Sequence, residues 1–369
     1  GKKDIDSISL QYKASLSEKL TNQFSVYRNK TTFKDNYGKS DIDINPWAMD
    51  MKTTGISDQL TYTTNNQTLT GGVDWYKDEI PYYLGNDVEG QSTHNIAFYL
   101  QDKIDLTDQW NITPGVRVDH HSAFGTHTSP SLSIGFKQNE NTNYYFNYKT
   151  FFVAPNMYQL YAPGSMYEGR YYPAGNKDLK PQEGNTIEFG INHNFSDTLS
   201  GTFNIFHTHA KNLIQYVNGY ENTGKANVNG FSLNLNKDFN QHWNAGIGYS
   251  SLHMQAISGQ NINSNGTLPE STLNINVGYT ADKFNASLYG RGIMNRYGNK
   301  GKDEMRNYAN YWVWDLAANY QFTKEATLFA RVNNIFDQFY TDIGSSQDPY
   351  VSWYSAPGRN FEIGLQFQF

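Results

Sequence analysis

The segment Gly358–Phe369, GRNFEIGLQFQF, decides the fold. Phe361, Ile363, Leu365, Phe367 and Phe369 fall on one face of an extended strand, and Asn360, Glu362, Gly364, Gln366 and Gln368 fall on the other. A strand in a soluble sandwich also alternates. An apolar face that runs to a final aromatic residue, with no polar tail, suits a strand bathed in lipid. The remaining sequence is therefore read for the neighbours of this strand in a transmembrane β-barrel.

Composition supports that reading. Aromatic residues make up 15% of the 369 positions, with 28 Tyr, 22 Phe and 7 Trp, yet the mean hydropathy is -0.69. No run approaches the roughly 20 apolar residues that a spanning helix needs. A membrane barrel reconciles these facts, because only alternate residues meet lipid and aromatic side chains gather at the two interfaces. The absence of Cys excludes disulfides, thiolate metal sites and cysteine nucleophiles. A net charge of -6 without any basic tract sets nucleic-acid binding aside. The sequence opens at Gly1 without a signal peptide, as the mature form or a truncated piece of an exported protein would.

Segments of alternating pattern recur, and the strand signals add up to about seventeen. Ile187, Phe189 and Ile191 share one face of a segment whose other face holds Glu188 and Asn192. Trp243, Ala245, Ile247 and Tyr249 alternate with Asn244, Gly246, Gly248 and Ser250; Leu273, Ile275 and Val277 alternate with Asn274, Asn276 and Gly278. The apolar parity carries almost no formal charge, whereas Arg117, Lys149, Arg291 and Arg331 fall on the lumenal parity. This sorting is physically required, since Arg or Lys on the lipid face at the midplane costs ~2–4 kcal/mol.

Connections are expected to alternate too. Short turns near Thr64–Gln67, Leu106–Gln109, Asn139–Thr142, Ser196–Thr198, Asn240–His242, Ala281–Lys283 and Thr323–Glu325 are separated by long links at Lys34–Pro46, Lys77–Ser92, Ala154–Gly184, Ser258–Pro269, Tyr297–Asn310 and Tyr340–Arg359. A barrel with tight periplasmic turns and large extracellular loops gives strict alternation of this kind. An odd count places Gly1 at the extracellular rim, which conflicts with the even strand number of a closed bacterial barrel. No period of 20–50 residues marks a solenoid.

Five stretches carry a family resemblance. Phe151–Tyr161 reads FFVAPNMYQLY, and Gly175–Ile191 reads GNKDLKPQEGNTIEFGI. Together with ENTGKANVNGFSLNLN at Glu221–Asn236, RVNNIFDQFY at Arg331–Tyr340 and SAPGRNFEIGLQF at Ser355–Phe367, they resemble the TonB-dependent outer-membrane receptors of ferric siderophores, haem and cobalamin. Three positions depart from the family pattern. Val153 stands where that family has Arg or Lys, Glu183 comes one place late, and Ser232 replaces a Glu.

The resemblance implies an all-β, 22-stranded transmembrane antiparallel barrel in the Gram-negative outer membrane, of which about 17 strands are present. It also implies an N-terminal plug and a short segment that contacts TonB. Neither is in the sequence, so residues 1–369 are expected to form the C-terminal part of such a barrel. The edge at Phe361–Phe369 should then be unpaired or wrongly paired.

The long links hold the candidate ligand-binding residues. Tyr158, Tyr161, Tyr167, Tyr171 and Tyr172 crowd one link and Tyr340, Tyr350, Trp353 and Tyr354 another, with Tyr82 and Tyr83 in a third. Tyrosine offers a large flat face and a hydroxyl at low entropy cost. Arg170, Arg296, Arg306 and Arg359 lie beside these groups and suit an anionic chelate. An aromatic girdle with solvated loop charges is the bland account of any single residue. The cluster at 158–172 is the strongest candidate site.

An iron chelate is the expected ligand, a ferric siderophore first, then haem, then a corrinoid. Residues 156–175 contain no His, which counts against haem, although Tyr167 or Tyr171 could ligate its iron. His207 and His209, with His121 and His127, read as rim histidines rather than a metal site, and Asp41, Asp43 and Asn45 lack the Gly and Glu of a calcium loop. Asp119, His120, His121 and Ser122 are adjacent strand residues that alternate faces, so no catalytic relay is expected. The chain is read as a transporter without enzymatic activity, cofactor or resident metal. A passive porin is the rival of another class, with an outer-membrane hydrolase behind it.

Overall fold

The structure is a computed structural model, and it describes all residues except 1, 36–46, 84–89, 168–169, 217, 259–264, 300–304, 342, 348–349 and 369. β1 (Lys2–Ser15), β2 (Leu20–Asp35), β3 (Trp47–Thr63), β4 (Gln67–Tyr83), β5 (Gln91–Asp105), β6 (Trp110–His121), β7 (Gly125–Asn139) and β8 (Thr142–Val153) pair in chain order. A five-residue helix, α1 (Met157–Tyr161), and a hairpin of β9 (Ser165–Tyr167) and β10 (Arg170–Tyr172) fill the link to β11 (Gln182–Ser196), which pairs with β8.

The order continues through β12 (Leu199–Tyr216), β13 (Tyr220–Asp238), β14 (Trp243–Ser258), β15 (Asn265–Thr280) and β16 (Phe284–Asn299). The short β17 (Met305–Tyr308) and then β18 (Tyr311–Gln321) run along the free edge of β16, followed by β19 (Ala326–Asn333). A hairpin of β20 (Ile343–Gln347) and β21 (Tyr350–Tyr354) precedes β22 (Asn360–Phe367), which pairs with β19. The result is 17 antiparallel strands in one sheet, or 18 with β17 counted apart.

The registers explain why the alternation works. Phe189 stands opposite both Phe146 and Ile205, Ile134 opposite Ile112 and Phe146, Ile247 opposite Ile275, and Leu316 opposite Leu288 and Val332. One continuous outward face is therefore apolar, and its side chains are exposed along the sheet. Asp58 interrupts it between Ile56 and Leu60. Asn22, across the ladder from Leu60, donates a 2.6 Å hydrogen bond to Asp58 Oδ1, which partly compensates a carboxylate on the apolar face.

The opposite face is polar and paired. Arg117 Nε lies 2.9 Å from Asp119 and its Nη1 2.5 Å from Asp74, while Asn95 donates to Asp119 at 2.9 Å. Glu188 accepts from Asn204 at 3.0 Å, and Ser232, where the resembled family has Glu, donates to Asn204 at 2.8 Å. Aromatic rings lie over glycines on the facing strand. A Cβ on Gly190 would come within 2.1 Å of the Tyr145 ring, and on the outward face one on Gly290 would come within 2.5 Å of Trp314. Each glycine gives its opposite ring a flat seat and pins the register.

The short turns all lie at one end, including Leu16–Lys19, where Leu16 N–H donates to Leu20 at 2.8 Å. Strict alternation fails at the other end, where β6–β7 and β12–β13 are joined by only a few residues. Local turn chemistry explains both: Gly125 and Gly219 take the positive φ values of 78° and 132° that a tight reversal needs.

Among the described residues β1 pairs only with β2, and β22 only with β19. Both strands descend from the loop rim to the turn end, and Gln368 N–H donates to Glu325 in the last turn. The free edge expected on the final strand is present along Phe361–Gln366; Phe369 lies outside the described residues.

Candidate functional site

The loop rim is built on the two stretches that bracket the longest link. Pro155 cannot extend a ladder and ends β8. Asn156 then caps α1: its side chain accepts Gln159 N–H at 2.8 Å, and the Gln159 side chain accepts Asn156 N–H at 2.9 Å. The helix folds inward. Met157 and Leu160 are buried, and Met157 packs with Met49 and Ile80 against half-buried Phe33, Met51 and Tyr161. Thr93 Oγ1 meets the Met157 sulfur at 3.4 Å. A five-residue helix gains little from its own hydrogen bonds, so this apolar anchor across β3, β4 and β5 holds it.

Residues 175–181 form a strap over the helix. Gly175 N–H donates to Ala162 at 2.7 Å and Asn176 N–H to Gln159 at 2.8 Å. The Asn176 side chain donates to the Tyr220 carbonyl at 2.9 Å. Asn222 holds Lys180 by two bonds of 2.8 Å and also donates to the carbonyl of Asn212, whose positive φ of 57° marks the bulge in β12. Within the strap, Leu179 and Pro181 are buried. The motif residues of both stretches thus tie α1 to the β12–β13 hairpin.

This tie assembles an aromatic group. Tyr158 meets Tyr220 edge-on at 6.3 Å, and Tyr220 meets Tyr216 edge-on at 5.0 Å. Burial, with Tyr216 beside it, holds the Tyr158 hydroxyl above the usual phenol range. At neutral pH Tyr158 is therefore a protonated phenol that can donate and accept hydrogen bonds. Tyr171 is 60% exposed. Tyr161 differs: it packs into the Met157 core, with Lys177 Nζ 5.4 Å above its ring. Tyr172 is half-buried.

The other expected residues fall into two sets. The backbones of Tyr167 and Arg170 pair in the β9–β10 hairpin, and Tyr350, Trp353 and Tyr354 lie on β21, but their side chains are outside the described residues. So are the side chains of Tyr82, Tyr83 and Arg306, and all of Asp41, Asp43 and Asn45. Arg296 is buried: Nη1 donates to the Thr341 carbonyl at 2.7 Å, and its guanidinium lies 5.0 Å over Tyr311. Tyr340 packs on Tyr311 beside it. Arg359 donates from Nη1 to Ile335.

The run 119–122 scatters as alternation requires. Asp119 faces Arg117, His120 bonds Thr126, His121 accepts from Ala123, and Ser122 accepts from His94. His127 instead sits 3.2 Å from Glu183 and stacks on Phe152. Tyr216 and Tyr220 are the rim residues that sequence reasoning passed over, whereas Asn176 and Asn222 lie in stretches it quoted for the resemblance without a site role. The capping pattern Asn156-x-x-Gln159 was the available signal that the chain turns helical there.

Comparison with known proteins is consistent with this geometry. The sequence profile described as "TonB dependent receptor-like, beta-barrel" matches residues 1–335. The ferric enterobactin receptor PirA of Pseudomonas aeruginosa is 27% identical over 359 residues, covering 82% of this chain and 47% of that protein. The ferrienterobactin receptor of Escherichia coli is 25% identical over 369 residues, covering 82% and 49%. The chain thus spans about half the length of the curated relatives it matches. A crystal structure of the ferric enterobactin receptor PfeA of Pseudomonas aeruginosa superposes with a TM-score of 0.82 at 20% identity, over 100% of this chain and 62% of that one. At that identity the likeness concerns the fold.

Proposed function

Because the chain belongs to the TonB-dependent receptor β-barrel family, whose members are outer-membrane barrels, we propose that it is the barrel portion of a receptor for energised uptake of a ferric siderophore. The carrying observation is the aromatic rim group of Tyr158, Tyr216 and Tyr220, fixed by the strap at 175–181. Edge-on rings leave flat faces and hydroxyls at the mouth of a polar-walled lumen, the chemistry that suits a planar aryl chelate. The relatives named above are receptors for ferric enterobactin, which supports this ligand class.

In this reading the rest of the site is Tyr167, Arg170, Tyr171 and Tyr172, with Tyr350, Trp353 and Tyr354 from the last link, while Tyr161 supports it from the core of Met49, Ile80 and Met157. The arginine meets anionic oxygen and the aromatic rings meet the chelate's faces. The plug and the segment that contacts TonB lie in the length of receptor that this chain does not span.

The test is a titration of the full-length protein with ferric siderophores, haem and cobalamin, alongside conductance in planar bilayers. A ferric siderophore should bind, and Tyr167→Ala and Arg170→Ala should each weaken binding about tenfold, the size of one well-placed contact. No binding of any of these ligands, together with steady passive conductance, would replace the receptor with a porin.

A further inference from the structure

The lumenal wall changes chemistry from one sector to the next. On β12–β15 the inward rows run from Thr202 to Thr208, Gly230 to Asn236, Asn244 to Ser250 and Thr272 to Gly278. They are in register: Thr202 faces Asn234, Asn234 faces Gly248, and Gly248 faces Asn274. Every inward position in these rows is Thr, Ser, Asn or Gly except Phe206, so this described sector bears no formal charge. Phe206 lies flat over Gly230, where a Cβ would come within 2.5 Å of its ring. Gly246, Gly248 and Gly278 likewise sit under the amides of Asn276, Asn234 and Asn244. The surface is therefore shallow and covered with amides and hydroxyls.

Other walls are charged. On β4–β6 Arg117 pairs with Asp74 and Asp119, and Asp78 accepts from Thr53, so carboxylates outnumber the guanidinium in that patch. Glu188 on β11, held by Asn147 and Asn204, and Arg291 on β16 mark the two borders of the neutral sector. The sector also hangs directly from the aromatic rim group, because Tyr216 ends β12 and Tyr220 opens β13. At its foot a polar hollow of about 500 Å³ lies between the turns, lined by Thr198, Asp238, His242 and Thr280.

We propose that an anionic aryl chelate crosses the lumen along β12–β15, and that Asn234 and Asn276 belong to its track. The inference rests on the uptake reading above and names the wall that the cargo follows. An aryl chelate whose deprotonated oxygens outnumber the charges of its ferric ion is an anion, and the carboxylates of β4–β6 repel it. A fixed guanidinium such as Arg291 holds an anion as a binding site does, whereas passage needs contacts that are individually weak and repeated. Amides and hydroxyls at alternate residues of four adjacent strands provide such contacts, and the glycines between them leave room for a bulky cargo. The rim tyrosines deliver the chelate to the head of this row.

The experiment uses cells carrying the full-length receptor and radiolabelled ferric enterobactin as the probe. Surface binding is read on de-energised cells and uptake on energised ones. Asn234→Asp and Asn276→Asp keep the size of the side chain and add one carboxylate to the track. Each should slow uptake about tenfold, with parent-like surface affinity and heat-modifiable migration. Gln101→Glu adds the same charge to the lumenal row of β5 and should leave uptake unchanged. Parent-like uptake in either track variant, or an equal fall in Gln101→Glu, overturns the track while parental binding preserves the receptor reading. A parent protein that binds no ferric enterobactin defeats the receptor reading for this ligand class, and the track falls with it.

Discussion

Asp337 Oδ1 accepts the backbone N–H of Arg359 at 2.7 Å, closing the link between β19 and β22 at its base. Next to it, Asn334 is 2% exposed: its amide donates to the Gln338 and Pro357 carbonyls, its Oδ1 accepts Gln338 N–H, and its own N–H bonds Asp315. Both residues hold positive φ, 54° for Asn334 and 53° for Asp337. The NIFDQFY and PGR motifs are therefore a knot that docks the final strand. Asn334→Ala strands buried carbonyls at ~1–3 kcal/mol and adds a left-handed backbone cost of ~1–2 kcal/mol. Asn334→Gly should recover the second cost and not the first. Urea midpoints of the refolded full-length barrel should rank parent, then Gly, then Ala; equal midpoints for the two variants would remove the backbone contribution.

Gly175 makes a sharper demand. A Cβ there would fall 2.7–2.8 Å from backbone atoms of Leu160, Tyr161 and Ala162. Backbone cannot rotate away as a side-chain tip does, so Gly175→Ala should lift the strap from α1 while leaving the sheet intact. The expected result is faster amide exchange over residues 156–163 and roughly a fivefold loss of siderophore affinity, with unchanged heat-modifiable migration. Exchange rates equal to the parent would show that the strap tolerates the methyl group.

Tyr158 and Tyr161 lie on one short helix but should respond differently. Tyr158→Phe keeps its ring contacts and removes a neutral hydroxyl, so folding should be unchanged and affinity lowered about threefold to tenfold, the value of one modest hydrogen bond. Tyr161→Ala removes a ring from the core of Met49, Ile80 and Met157. That cavity costs ~3–5 kcal/mol if the site cannot relax. Its loss should appear as exchange at α1 before any change in ligand contacts. Isothermal titration and amide exchange on both variants separate the two roles.

These contrasts show what the sequence made legible. Alternation at Phe361–Phe367 or Ile187–Ile191 reports a face directly, because a strand's period of two needs no tertiary partner. The short turns at one end followed from Asn, Asp and Thr for the same local reason, whereas the tight reversals at Gly125 and Gly219 broke the expected alternation. The inward fold of Met157 was not legible, since its partners Met49 and Ile80 lie several strands away in sequence order and no local signal names them. Tyr158 and Tyr161 are alike in composition, and only packing separates the ring at the mouth from the ring in the core. Asp58 on the apolar face was also missed; its partner Asn22 is visible only once the β2–β3 register is known.

β1 and β22 supply the remaining prediction. Both run from the rim to the turn end, as the first and last of an odd set of strands must, so direct contact between them would be parallel. Along Lys3–Ala14 and Phe361–Gln366 each presents an outer edge with no ladder partner among the described residues, and each backbone group left unsatisfied in hydrocarbon costs several kcal/mol. Antiparallel closure needs an odd number of further strands between them. Because the chain has no Cys, Ile8→Cys and Leu365→Cys place single thiols on the two edges against no background. Refolded alone in detergent, residues 1–369 carrying both substitutions should form no disulfide between positions 8 and 365, should remain heat-unmodifiable and should self-associate through the open edges. In the full-length receptor the same pair should also stay uncrosslinked, but the protein should be monomeric and heat-modifiable. A disulfide that forms in the isolated chain would mean that the sheet closes on itself with a parallel seam.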